Sequence, residues 1–529
     1  MLLAVIGAGG LLACAEDAAP VAPNAEWTVA DLARLSLDLR GVRPTLAELE
    51  AAEADAGDPT EWSAAVDTFL RDPRFGPRVR DLFADIYRTR QDGYLYEADD
   101  YGLSDPADFV RSIGEEPLRM LSTVAEEDLP YTDIVRADWT VADAALAAMA
   151  PLDYPADATG WQRAHYTDGR PAAGILATNG LWWRYTTTLA NAGRGRANAL
   201  TRILLCHDAL SRPVPFDRTL DLLDPAAVSD ALDTNPGCVA CHLTLDPLAS
   251  FLYGFQPVPG DGPREAASYH PDREPNWASV TGVAPAYYGT PADGLADLAV
   301  LIADDPRLTT CVTQQVYAAL EGREVTFEDT GPLVTHHAAF VDAGLTLRGL
   351  FRSIVEAAPY RGEGRTKLLS VEQLGTTIEA LTTFRFTHLG FDLLQSETYG
   401  VRSLADGVDG LYASRPNAVP TATAVLVHAR VTQAAAAHVV AHDRADPATA
   451  ALFTEVDFTE TPASGRAAMV AQVQALRARV HGARVDADGE EVEADLALWS
   501  ELYALDGDPA DAWAGVLSVL MREPTFLLY

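Results

Sequence analysis

The sequence predicts a mainly all-α protein of several helical modules with a loop-rich central region. Three observations carry this expectation. Apolar residues recur at helical spacing along most of the chain, alternating strand-like runs are scarce, and Pro/Gly-rich stretches stand at 255–264 and 282–294. A length of 529 residues and a hydrophobic fraction of 48% suffice for about two to four domains with packed cores.

Taken in order, Leu32, Leu35 and Leu39 follow Thr28 at helical spacing. Thr45-Leu46-Ala47-Glu48 after Pro44 reads as a capping box that opens the next helix. Val79, Leu82, Phe83, Ile86 and Tyr87 form an i, i+3, i+4, i+7, i+8 stripe. Further helices are expected at 105–126, bent near Pro117, and at 140–149, 196–206, 292–304, 311–321 and 346–357. The last repeats the stripe with Leu347, Leu350, Phe351, Ile354 and Val355. The C-terminal third reads as helices near 370–383, 420–442, 464–480 and 491–504, closing with Trp513 to Tyr529.

The most informative run is Cys238-Val239-Ala240-Cys241-His242. C-x-x-C-H is the attachment motif for c-type haem. Two thiols add across the porphyrin vinyl groups, the two-residue spacer sets their separation, and the adjacent histidine is placed to bind iron as proximal ligand. Alternatives are a redox disulfide or half a zinc site. A zinc site needs a second ligand pair, and the remaining cysteines form no other C-x-x-C. A thioredoxin-like site would follow a strand; here Asp233-Thr234-Asn235-Pro236-Gly237 reads as loop. One covalent haem c on Cys238 and Cys241, with His242 on the iron, is the favoured reading.

Five cysteines are present. Besides the motif pair, Cys14 ends Leu11-Leu12-Ala13-Cys14, which reads as a bacterial lipobox with a lipidated thiol. Residues 1–14 then form a signal peptide, without the basic residues that normally precede the apolar run. Residues 15–26, rich in Ala and Pro, form a flexible tether. No other segment reads as long and apolar enough to span a bilayer. The expected location is therefore exported, in the periplasm or at the cell surface, with the membrane touched only through the lipid anchor. Cys206 and Cys311 remain, as one disulfide or as two buried thiols.

The sixth iron position is open to argument. No methionine lies between His242 and Met469, and Met120, Met149, Met469 and Met521 read as core packing. His270, in the polar run Ser268-Tyr269-His270-Pro271, is the nearest downstream histidine and a weak distal candidate. His336 and His337 are adjacent and point in different directions on a helix. His438 and His442 lie one turn apart and read as surface decoration. His207 follows Cys206 and would sit near the haem if that cysteine is paired. Glu115-Glu116 and Glu126-Glu127 read as solvated helix faces rather than catalytic pairs.

Formal net charge is −37, from 39 basic and 76 acidic residues, and Lys367 is the only lysine. Such a balance argues against nucleic acid and anionic lipid as partners. It is compatible with steering a basic redox partner, and equally with a surface that simply keeps the protein soluble.

Longer stretches carry a resemblance. "DLARLSLDLRGVRPTLAELE" and "DPRFGPRVRDLFADIY" resemble the opening helical domain of large planctomycete-type cytochrome c surface proteins, assembled from domains of unknown function. "LPYTDIVRADWTVADAALA" is similar to their next module. "GILATNGLWWRY", "RILLC" and "NPGCVACHLTLDPLASFLYGF" resemble their haem-attachment module, and 295–321 with 339–356 the module after it. "AWAGVLSVLMREPTFLLY" is similar to their usual ending. In that group a glycine and a Phe-Asp ending usually follow Asp-Pro; here Leu248 to Phe255 replace the run and Gln256 stands at the Asp position. Cys206 and Cys311 fall at the group's cysteine positions, which implies that they pair.

The expected organisation is thus N-terminal helical modules at 27–170, the haem-attachment module with its following helical module at 171–365, and a C-terminal helical domain at 366–529. The resulting function is electron transfer through one c-type haem to a protein redox partner. Alternatives are a haem-dependent oxidase or peroxidase on an extracellular substrate, and a non-catalytic surface scaffold.

Overall fold

The computed structural model describes residues 27–188, 190–211, 220–221, 223–361, 366–409, 413 and 415–529. The signal segment, Cys14 and the tether lie outside the described residues. The fold is mainly helical, and among the described residues the strands form three short antiparallel pairs.

Local sequence explains the helix starts. Thr28 caps Val29–Arg40, and Thr45 caps Leu46–Asp55, each through a capping box with the acidic residue three positions on. Glu48 returns a carboxylate oxygen to the Thr45 amide at 2.7 Å. Asp58, Asp105, Asp305 and Asp508 cap further helices that have Pro in their first turn. Pro106–Glu126 continues through Pro117 as one helix.

Two expectations are corrected here. Residues 140–149 are not one helix: Thr140–Ala142 pairs with Gln162–Ala164, and Ala144–Met149 begins after Asp143, whose side chain accepts from the Leu146 amide. The β-branched Thr140 and Val141 favour the extended form, and the Asp143 cap starts the helix beyond them. The run Asp233 to Gly237, just before Cys238, is also not a loop. Pro225–Thr234 and Pro236–Ala249 are consecutive helices separated only by Asn235.

One apolar core draws on residues from Trp27 to Tyr360, a second on residues 369–526 together with Leu37, and a smaller third on residues between Ala98 and Phe391. Met120, Met149, Met469 and Met521 are all buried. Leu35 and Leu39 face the first core while Leu37 faces the second, so Val29–Arg40 is shared by both. Beside it, Lys367 pairs with the fully buried Asp38, which also accepts hydroxyl hydrogens from Tyr360 (2.7 Å) and Tyr529 (2.9 Å). Lys367 and Tyr529 exchange backbone hydrogen bonds of 2.7 and 2.9 Å. Burial pushes the Lys367 ammonium down to about 8, against the pull of Asp38.

Two helical runs among the described residues, Pro236–Phe255 and Ala422–Ala445, are long and apolar enough to cross a membrane. This corrects the expectation that no further segment is. Residues of both runs belong to the packed cores, and a core helix passes the same test of length and composition.

Candidate functional site

The C-x-x-C-H run occupies the first two turns of Pro236–Ala249. Proline disfavours helical backbone in the residue before it, so Asn235 is extended and breaks the preceding helix. The Asn235 side chain then accepts from the Gly237 amide at 2.9 Å, and Pro236 takes the first helical position, where no amide hydrogen is needed.

Cys238 and Cys241 are half-buried, unbonded thiols. Three residues apart on a helix, they share a face. Cys241 packs against the first core. His242 Nδ1 lies 3.0 Å from Asp246 Oδ1, one turn along the same helix. A carboxylate only accepts, so Nδ1 carries the proton and the Nε2 lone pair remains available. Asp246 is fixed in turn by Arg194, whose Nε and Nη2 donate to its two oxygens at 2.6 and 3.1 Å. Burial works to raise the Asp246 carboxyl, but the His242 and Arg194 hydrogen bonds outweigh it and hold the group below its ordinary value.

Arg194 opens the helix Arg194–Leu205. Just before it, Gly193 has φ +81°, and a Cβ there would lie 3.3 Å from Ala249 Cβ. A small residue in left-handed backbone is therefore what lets this helix meet the end of Pro236–Ala249. At its other end Cys206, in left-handed backbone at φ 52°, forms a disulfide with Cys311 on Pro306–Glu321. The His207 amide donates to the Thr201 carbonyl at 3.0 Å.

Several other histidines are hydrogen-bonded to groups other than His242. His270 Nε2 is 2.8 Å from the Glu265 carbonyl, so that nitrogen is the donor and the lone pair lies on Nδ1. His336 Nδ1 meets Ser353 Oγ (2.8 Å) and His337 Nε2 meets Thr309 Oγ1 (2.9 Å), on separate sides of their helix. His438 Nε2 meets Thr383 and His442 Nδ1 meets Asp443. Among the described residues no group of three or more His, Cys, Asp or Glu side chains is arranged to hold a metal ion.

The donor set fits a covalent porphyrin. Two thiols share a helix face, and the neighbouring imidazole has one nitrogen held by a carboxylate and the other without a partner among the described residues. Asp246 and Arg194 were missed from sequence. The His-x-x-x-Asp spacing on a helix was the available signal for the first. Arg194 lies 52 residues away from Asp246 in the chain, and no local pattern marks it.

The reading of Glu115-Glu116 as a solvated face is overturned. Both are buried. Glu115 pairs with Arg90 (2.6 Å) and Arg80 (3.1 Å), and these cations overcome burial and hold it ionised below its usual value. Glu116 accepts from Tyr166 (2.6 Å), Thr140 (2.8 Å) and the Gly180 amide (2.9 Å), yet burial still raises it. Glu126 and Glu127 are exposed.

Residues 13–170 match the family described as PSCyt2, a protein of unknown function (DUF1549). That span stops well short of half the chain and does not include Cys238 to His242. No curated protein and no solved structure matches.

Proposed function

We propose that the chain is an exported c-type haem protein with a redox role in the periplasm or at the cell surface. The observation that carries this reading is the C-x-x-C-H run on a helix start with His242 held by Asp246 through Nδ1. The likeness of the flanking modules to large planctomycete-type cytochrome c surface proteins supports it.

In this reading Cys238 and Cys241 tether one haem and His242 Nε2 ligates its iron. When bound, the haem supplies a one-electron iron couple. Asp246 fixes the tautomer and orientation of the imidazole and increases its basicity, and Arg194 keeps Asp246 ionised and in place. Lipidation of Cys14 would hold the protein at a membrane, and the acidic surface would meet a basic redox partner rather than nucleic acid.

Intact mass and a pyridine haemochrome spectrum of material exported from a haem-maturing host test the proposal. The expected result is one covalent haem, abolished by Cys238→Ser with Cys241→Ser. Colourless protein at its amino-acid mass plus acyl chains overturns it.

A second reading, an oxidase or peroxidase with an open iron position, is favoured by the burial of Met120, Met149, Met469 and Met521. Carbon monoxide separates the two: a shift of the reduced Soret band supports an open position, and an unchanged band supports a six-coordinate electron carrier.

A further inference from the structure

The helix Thr330–Asp342 uses one side to cover the first core. His336 and Phe340 are buried, and His336 Nδ1 and His337 Nε2 meet Ser353 and Thr309 of neighbouring helices. The opposite side carries Gly331, Val334, Ala338 and Val341, at intervals of three, four and three residues, the spacing of a helix–helix seam. All four are exposed, Val334 to 65% and Val341 to 49%. Phe327, four residues before Gly331, continues the spacing and is 92% exposed. Apart from its two histidines the helix holds a single ionisable residue, Asp342, in a chain of net charge −37.

Small and large residues alternate along this seam. A Cβ at Gly331 would meet nothing within 4 Å, and its backbone is not left-handed, so the fold has no need of glycine there. The missing side chain leaves a hollow in the outer surface, and Ala338 leaves a second. A copy of the helix laid antiparallel, about a two-fold axis at the level of position 336, sets Gly331 against Val341 and Val334 against Ala338. Phe327 then falls at the far end of the copy, where Ala343 and Gly344 are exposed. Each large side chain stands over a small one, which lets two helices pack closely. The match is self-complementary, as a two-fold interface requires. Two chains of this charge repel, so copies can meet only through a face that carries little of it.

We propose that Thr330–Asp342 is the contact between two copies of the chain, antiparallel about a two-fold axis. At about 1.5 Å per residue its 13 residues give a seam of about 20 Å. That length belongs with small, reversible interfaces, and association in the micromolar range follows. The seam lies on a different helix from Cys238 to His242, and the inference does not rest on haem.

The test is sedimentation velocity of the full chain carrying Cys14→Ser, which keeps acyl chains off, from nanomolar to high micromolar concentration. A monomer–dimer equilibrium is expected, strengthened by sodium chloride as salt screens the repulsion between copies. Val334→Glu should weaken it at least about tenfold, because it sets a carboxylate against an apolar surface. Leu505→Glu, at another exposed apolar residue, should leave it unchanged. Gly331→Leu separates this register from general stickiness. It adds apolar surface yet fills the hollow that receives Val341, so association should fall by a similar factor. Circular dichroism reports the folding of each variant, and Ala338→Glu serves if Val334→Glu does not fold. The proposal is overturned by a monomer at every concentration, by a dimer that salt dissolves, or by undiminished association of the folded glutamate variant. An equal loss with Leu505→Glu, or a stronger dimer with Gly331→Leu, overturns it as well.

Discussion

Asp406 is buried, its Oδ1 accepts from the Val408 amide at 2.9 Å, and its Oδ2 has no hydrogen-bond partner among the described residues. Burial, reinforced by Glu372 and Asp85 and only partly opposed by the Val408 bond and Arg402, pushes this carboxyl up to about 7. An unfolded aspartate titrates near about 3.9. The folded chain therefore holds the proton over that interval, and the stability tied to it is lost as pH rises from about 4 through about 7. Asp406→Asn keeps the Val408 bond and removes the charge. It is expected to raise stability at pH 8 by about 1–3 kcal/mol, the cost of ionising a carboxyl held above its ordinary value less that of burying the new amide NH2, with the gain shrinking toward pH 5. Urea midpoints at the two pH values check this, and an equal or lower midpoint at pH 8 refutes it. His428 runs the other way. Burial, with Arg522 nearby, pushes it down to about 4, so its contribution falls as pH drops below about 6.5.

At the scale of elements, the contact between Arg194–Leu205 and Pro236–Ala249 turns on Gly193. Gly193→Ala meets both the left-handed backbone and Ala249 Cβ, and is expected to destabilise by about 1–3 kcal/mol. A thermal shift no larger than that of an exposed Gly→Ala control would show that the contact relaxes freely. Helices with strong stripes were legible in the sequence: Val79, Phe83 and Tyr87 are buried on Phe75–Tyr87, and the capping box at Thr45 stands where it was read. The helix carrying Cys238 was not, because Asn235-Pro236-Gly237 has the composition of a loop. Only the cap geometry shows that proline opens a helix there. Glu115 and Glu116 were misread for a different reason. Arg90, Tyr166 and Gly180, which justify their burial, lie 25, 50 and 64 residues away, beyond any local pattern. Asp246 could have been paired with His242 from their spacing on one helix, whereas Arg194 joins them only once two helices are side by side.

Across the whole molecule, the cluster around Asp38 ties together both large cores and residues from Arg34 to Tyr529. Lys367→Met removes the nearer of the two cations paired with the buried Asp38 and leaves Arg34 at 3.8 Å, at an expected cost of about 1.5–3 kcal/mol, the scale of one hydrogen bond to a charged group. Adding Asp38→Asn removes the charge but leaves one acceptor oxygen where Tyr360 and Tyr529 donate to two, and should recover only part of the loss. Denaturant titration of the single and double variants measures this. A single variant within about 1 kcal/mol of the parent would mean that Arg34 alone suffices to hold the carboxylate.

The disulfide joins positions 105 residues apart, and Cys238, Cys241 and His242 fall between them. The stretch from Cys206 to Cys311 is thus a covalent ring. One protease cut inside it leaves a nicked protein that stays a single species on a denaturing gel until a thiol reductant is added. Any group carried by those two cysteines would then leave with one of the released fragments, and the coloured fragment would report on which side of the cut it had been bound.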